Sequence, residues 1–301
     1  MKRLLKWIFG LSIVIIAVWY FGIKEEHYQV SFTTVQPPGL IYDHISAWNS
    51  YATKDITSIS VTSKIPFSEI QQNVQVGDSL FSYRWKISKK GDGKTRVTAY
   101  VRDEVNGFSQ KIRGPFVKNS FVKRSVGNVQ NIVNELKFKT QQFRVHSVKD
   151  TIFSGGYCVY LPIESAIRKK AKNMLSNIAT IMEYINSNEI ALQGDPFLEV
   201  TSWDKHEETI KFNFCFPIEK SDSIPQNTQL QFKTLAPIRV LKAEFNGNYS
   251  ISNNAWYYLL DHAERNNMKI RELPIELYLV DPHVGGDPMN WKAHIFLPLI
   301  D

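Results

Sequence analysis

Apolar residues recur along this chain at two spacings, and each spacing predicts an element. Over residues 274–281, Ile275, Leu277 and Leu279 alternate with Glu276, Tyr278 and Val280, the period-two pattern of a β-strand. Residues 56–65 alternate too, residues 79–88 carry Leu80, Phe81, Tyr83, Trp85 and Ile87, residues 94–101 are rich in β-formers, and the turn Lys90-Gly91-Asp92-Gly93 joins the last two as a hairpin. Helical spacing marks residues 40–49, which follow the turn Gln36-Pro37-Pro38-Gly39. It also marks a later segment, where Val122, Val126, Val129, Val133 and Leu136 form one stripe. Residues 7–23 show neither period. They are an uncharged, mostly apolar run extended on its left by Leu4 and Leu5.

From about residue 143 one order of elements occurs twice. Strand 153–162, helix 165–188 and strands 196–204 and 209–217 are followed by strand 238–245, helix 252–266 and strands 274–281 and 290–298. In the first of these helices Ile167, Ala171, Met174, Ile178, Ile181 and Ile185 share a face. Pro196 corresponds to Pro274, and Pro217 to Pro298. A duplicated β-α-β-β unit predicts a pseudo-twofold pair with a cleft between its halves. The fold class is therefore α+β.

Composition narrows the picture further. The 301 residues are 43% hydrophobic and 13% aromatic, enough for packed cores and against a disordered chain. Net charge is +7, but Lys2, Arg3 and Lys6 supply part of it beside the apolar run, and the rest is scattered. No recognition helix, zinc-finger spacing or RNP motif accompanies that charge, so no nucleic-acid partner is expected. Basic residues before the run and Lys24-Glu25-Glu26 after it predict a transmembrane anchor over residues 1–26, in the membrane through residues 4–23. The positive-inside rule then puts the amino terminus in the cytoplasm and the remainder in the periplasm, as a single-pass inner-membrane protein. The rival is a cleaved signal peptide, for which the run is long and lacks a small-x-small site. Cys158 and Cys215 are too few for a disulfide framework and read as free buried thiols, with a bridge permitted if that half is exported.

Two stretches resemble known families. The P-x6-I-x2-W-N pattern from Pro38 to Asn49, the strand FSYRW, the hairpin arm GDGKTRVTAYV and the valine-striped helix resemble the SRPBCC superfamily. That START-like and polyketide-cyclase-like helix-grip fold would cover residues 27–142, with either an apolar ligand or a filled core under the long helix. Gly247-Asn248-Tyr249, the helix leading to Asn266, Pro274-Ile275-Glu276-Leu277-Tyr278-Leu279 with Asp281-Pro282, and Trp291 through Pro298-Leu299 resemble a second family. This is the GyrI-like domain, the effector-binding domain of multidrug-responsive transcription activators, over residues 143–301. The resemblance implies an SHS2-type duplicated fold, a bacterial source, and a cleft for small amphipathic or cationic molecules. Its E-x-Y-L glutamate, here Glu276, would lie at the cleft centre. Leu198 holds the equivalent place in the first repeat, so one carboxylate would face the cleft. No helix-turn-helix precedes the domain, so a transcription activator is not implied.

The chemistry of Glu276 stands beside that resemblance. A lone carboxylate in so apolar a strand must reach water, a partner or a ligand. Among aromatic rings it attracts a cation through charge and through ring faces. The predicted ligand-binding residues are Glu276, Tyr278, Tyr249, Trp256, His294 and Phe296. His294 stands where family members carry an acidic residue, which argues against a purely cationic preference. The function expected is a membrane-anchored small-molecule-binding protein. The alternatives are a hydrolase with Glu276 as general base and Tyr278 as its partner, or a structural partner of other envelope proteins. No G-x-S-x-G, Walker A or H-E-x-x-H motif occurs, and the spacing in Asp281-Pro282-His283-Val284-Gly285-Gly286-Asp287 reads as a solvated turn. No cofactor and no metal are therefore expected.

Overall fold

Helix α1 (Lys2–Val18) is 17 residues long in the computed structural model, and a π-helical turn over Trp19–Ile23 follows it. At about 1.5 Å per residue α1 spans roughly 25 Å, short of the ~30 Å hydrocarbon core of a bilayer. Among the described residues no helix is long and apolar enough to cross a membrane. The transmembrane anchor expected over residues 1–26 is thereby overturned. So are the membrane span through residues 4–23, the single-pass placement and the periplasmic assignment. The reason is local: the π turn takes over at Trp19, so the α-helical rise ends before the apolar run does.

The structure describes residues 2–113, 117, 119–221, 224–225, 229–282 and 285–300. The chain divides into two units, Met1–Lys137 and Phe138–Asp301. After α1 the first unit contains β1 (Tyr28–Thr34), α2 (Pro38–Ser46), β2 (Ser58–Ile65), β3 (Glu69–Val76), β4 (Ser79–Lys89), β5 (Thr95–Asp103) and α3 (Gly107–Arg113), and it ends within α4 (Ser120–Gln141). Its antiparallel sheet has the order β1-β5-β4-β3-β2. Pro38 opens α2 where no amide proton is needed. At the centre of the core Trp48 meets Tyr83 and Trp85 edge-on, at 5.1 and 5.6 Å.

The buried face of α4 is not the one that valine spacing predicts. Val122, Val129 and Leu136 are buried, but Val126 is 43% exposed, while Ser125, Asn128 and Ile132 turn inward. Hydrogen bonds decide the rotation. Ser125 Oγ donates to Phe121 O at 2.9 Å, and Asn128 Nδ2 donates to Tyr83 Oη at 2.9 Å, so both polar groups are satisfied where they are buried.

The second unit contains β6 (Phe143–Val145), β7 (Lys149–Phe153), β8 (Gly156–Ala166), α5 (Lys170–Ser187), β9 (Phe197–Asp204), β10 (Thr209–Pro217), β11 (Gln231–Leu235), β12 (Ile238–Gly247), α6 (Asn254–Arg265), β13 (Ile275–Tyr278) and β14 (Lys292–Pro298). The sheet is antiparallel, ordered β11-β8-β10-β9-β13-β14-β12-β6, with β7 also pairing with β12. The triplets β8-β10-β9 and β12-β14-β13 are the two copies of the repeat, and they meet at β9 and β13. One strand expected over residues 153–162 is instead two, broken at Gly155. There φ is +66°, and a Cβ would stand 2.3 Å from Leu235 O, so only glycine fits the corner.

Register in the central strands assigns two faces. Glu276 pairs with Leu198 and Ile295, and Tyr278 with Ala293. Ile275 pairs with Glu199 and Phe296, and Leu277 with Phe197 and His294. Because side chains alternate, the Glu276 set and the Phe296 set lie on opposite sides of the sheet.

Candidate functional site

The repeat brings two different residues to one point. In the first copy a 3-10 turn, Ile167–Lys169, follows β8, and Lys170 comes next as the first residue of α5. In the second copy Tyr249–Ile251 forms the matching turn after β12, and Ser252 comes next. Lys170 and Ser252 thus occupy the same step of the unit, and both reach Glu276.

The Gly-Asn-Tyr motif builds the second of these turns. Gly247 has φ +149°, and a Cβ there would meet Phe143 Cβ at 2.8 Å. The Asn248 side chain accepts from Ser250 N, capping the turn. Tyr249 then presents its carbonyl to Lys170 and donates its hydroxyl proton to Lys292 O at 2.7 Å.

Glu276, Lys170 and Ser252 are all 0% exposed. Lys170 Nζ donates to Glu276 Oε2 at 3.1 Å, to Ser252 Oγ at 2.6 Å and to Tyr249 O at 3.0 Å, which uses every ammonium proton. Ser252 Oγ lies 2.7 Å from Glu276 Oε2 and 2.8 Å from Tyr249 O, with a single proton to give to one of them. Tyr278 Oη donates to Oε2 at 2.6 Å and lies 3.7 Å from Met174 Sδ. Glu276 Oε1, by contrast, is buried and has no hydrogen-bond partner among the described residues.

Burial drives the electrostatics of the cluster. It lowers the pKa of Lys170, and the neighbouring Glu276 carboxylate works in the opposite direction. Burial, then the charge of Glu276, holds the Tyr278 hydroxyl well above the ordinary phenol range. Burial likewise pushes Tyr249 up to about 12.

The six residues expected to bind a ligand separate into three groups. Glu276, Tyr278 and Tyr249 come together, the two tyrosine rings 4.8 Å apart. Trp256 is fully buried on α6, edge-on to Trp203 at 5.2 Å. Phe296 and His294 lie on the opposite face of the sheet from Glu276. Phe296 packs there against Phe153 at 5.2 Å, and His294 Nε2 is 3.9 Å from Glu244 Oε2. That face also carries Glu199, which is paired with Lys233 and accepts from Asn213 Nδ2 at 2.8 Å. Cys158 and Cys215 are free and buried. Among the described residues no group of three or more His, Cys, Asp or Glu could hold a metal ion. His283 and Val284 of the loop singled out above lie outside those residues.

Sequence reading missed Lys170 and Ser252. Lys170 did leave a signal: it is a cation set between Ile167 and Ala171 of an apolar helical stripe.

Residues 168–300 match the family of the GyrI-like small molecule binding domain, so the second unit carries a GyrI-like domain. No curated protein matches the chain. Among solved structures, the EcmrR C-terminal domain is 15% identical with a TM-score of 0.42, covering 53% of this chain and 98% of its own. SAV2435 bound to tetraphenylphosphonium is 11% identical with a TM-score of 0.35, covering 52% of this chain and 94% of its own. The di-domain ARO/CYC BexL is 7% identical with a TM-score of 0.29, covering 91% of this chain and 84% of its own. The SRPBCC resemblance of the first unit is not confirmed by these matches.

Proposed function

We propose that the GyrI-like domain binds a small amphipathic molecule between its two repeats, with Glu276 as the polar contact and Tyr278 and Tyr249 as aromatic walls. The observation that carries this reading is Glu276 Oε1, a fully buried acceptor without a partner among the described residues. Leaving such a group unpaired costs about 1–3 kcal/mol, which an N–H or O–H of a ligand would recover. The description of the matched family as small-molecule binding supports the same reading. Entry requires side chains to move, since Glu276 is 0% exposed. Met174, an unbranched thioether beside the Tyr278 hydroxyl, is the neighbour best suited to yield.

The test is thermal unfolding of the full chain with amphipathic ligands, comparing wild type with Glu276→Gln. Ligands that bind at this site raise the wild-type Tm and raise that of the variant less. Equal shifts in both proteins would place binding elsewhere and refute the proposal.

A further inference from the structure

We infer that Lys170 sets the charge preference of this site: it admits a neutral ligand offering an N–H or O–H, and it disfavours lipophilic cations. The inference rests on the reading of Glu276 as the ligand contact.

Four observations lead to it. First, Lys170 and Glu276 are a contact pair at 3.1 Å. The pair is net neutral, so a cation arriving at Glu276 finds no net counter-charge there. Second, the Lys170 protons are all committed, to Glu276 Oε2, Ser252 Oγ and Tyr249 O, so an anion finds no free donor on it. Third, Oε2 is already approached by Lys170, Ser252 and Tyr278, whereas Oε1 is open. Fourth, Glu276, Lys170 and Ser252 have no solvent exposure, so a cation would shed its hydration without a net counter-charge in return. What remains is an acceptor for a neutral donor.

Two size-matched pairs of probes test this on the full chain by calorimetry: para-phenylphenol against N-methyl-para-phenylpyridinium, and beta-naphthol against N-methylquinolinium. In wild type each alcohol is expected to bind at least about tenfold tighter than its cationic partner. Lys170→Met leaves the carboxylate unopposed and should reverse the order by at least about tenfold. If that variant fails to fold, the wild-type comparison decides alone, because it needs no substitution. Cations that bind wild type as tightly as their alcohols, and are lost in Glu276→Gln, overturn the inference and leave the proposed function standing. Silence from all four probes overturns the proposed function, and the inference with it.

Discussion

Lys170 Nζ lies 3.1 Å from Glu276 Oε2, and neither side chain has any exposure to solvent. The two belong to different copies of the repeat, 106 residues apart in the chain. The GyrI-like domain thus ties its halves together through a charge in one copy and its counter-charge in the other.

That tie predicts strong coupling. Removing one member of a buried pair leaves the other uncompensated, at about 3–5 kcal/mol. Lys170→Met and Glu276→Gln should each destabilise the second unit by about that amount. The double variant should lose much less than the sum, since it strands no charge, and the shortfall should exceed the roughly 0.5 kcal/mol scatter of independent sites. Urea unfolding of the four proteins measures it, and additive losses would count against the pair.

Tyr278 gives the cluster an alkaline signature. Its folded pKa is well above the ordinary phenol value near 10, so the unfolded chain loses this proton first as pH rises. The associated stability is full below pH 10 and is lost as pH climbs toward the folded value. Tyr278→Phe should cost about 1.5–3 kcal/mol near neutral pH, the worth of a hydrogen bond to a charged acceptor. It should also flatten the decline of stability above pH 10 relative to wild type. Unfolding free energies of both proteins across that range check the slope.

His294 acts at the opposite end of the scale. Burial, then the positive charge of Lys242, lowers its pKa below the ordinary 6.5. The unfolded chain takes up the proton first as pH falls, so stability is lost as pH drops below 6.5 toward the folded value. His294→Asn should lessen that acid loss while leaving ligand binding at Glu276 intact, because His294 lies on the other face of the sheet. Tm measured between about pH 8 and about pH 5 shows the effect.

Two glycines should respond in opposite directions. At Gly155 a Cβ meets the carbonyl of Leu235 at 2.3 Å, with φ at +66°. Gly155→Ala should therefore destabilise by about 1–3 kcal/mol. Gly127, in α4, has nothing within 4 Å of the added carbon, and Gly127→Ala should stabilise by about 0.5–1 kcal/mol. Chemical denaturation of both variants tests the pair of signs.

Much of the second unit was legible because its cues are local. Period-two alternation marks β13, helical periodicity marks α5, and Pro196 with Pro274 marks the recurrence. Glu276 stood out for the same reason, as a charge in an apolar strand. Local cues misled where a backbone irregularity or a distant partner intervened. The apolar run at residues 7–23 passes from α-helix to π-helix at Trp19. The face of α4 turned to admit Asn128, whose partner Tyr83 lies on β4.

By itself, then, the sequence determined the main helix and inner strands of each repeat, that one unit occurs twice, and which carboxylate is out of place. Tertiary structure decided that this carboxylate meets a lysine, and that Phe296 and His294 face away from it. The physical reason is register: a side chain's face depends on which residue of the next strand its backbone pairs with. That pairing joins β13 to β9 and β14, a relation across the sheet rather than along the chain.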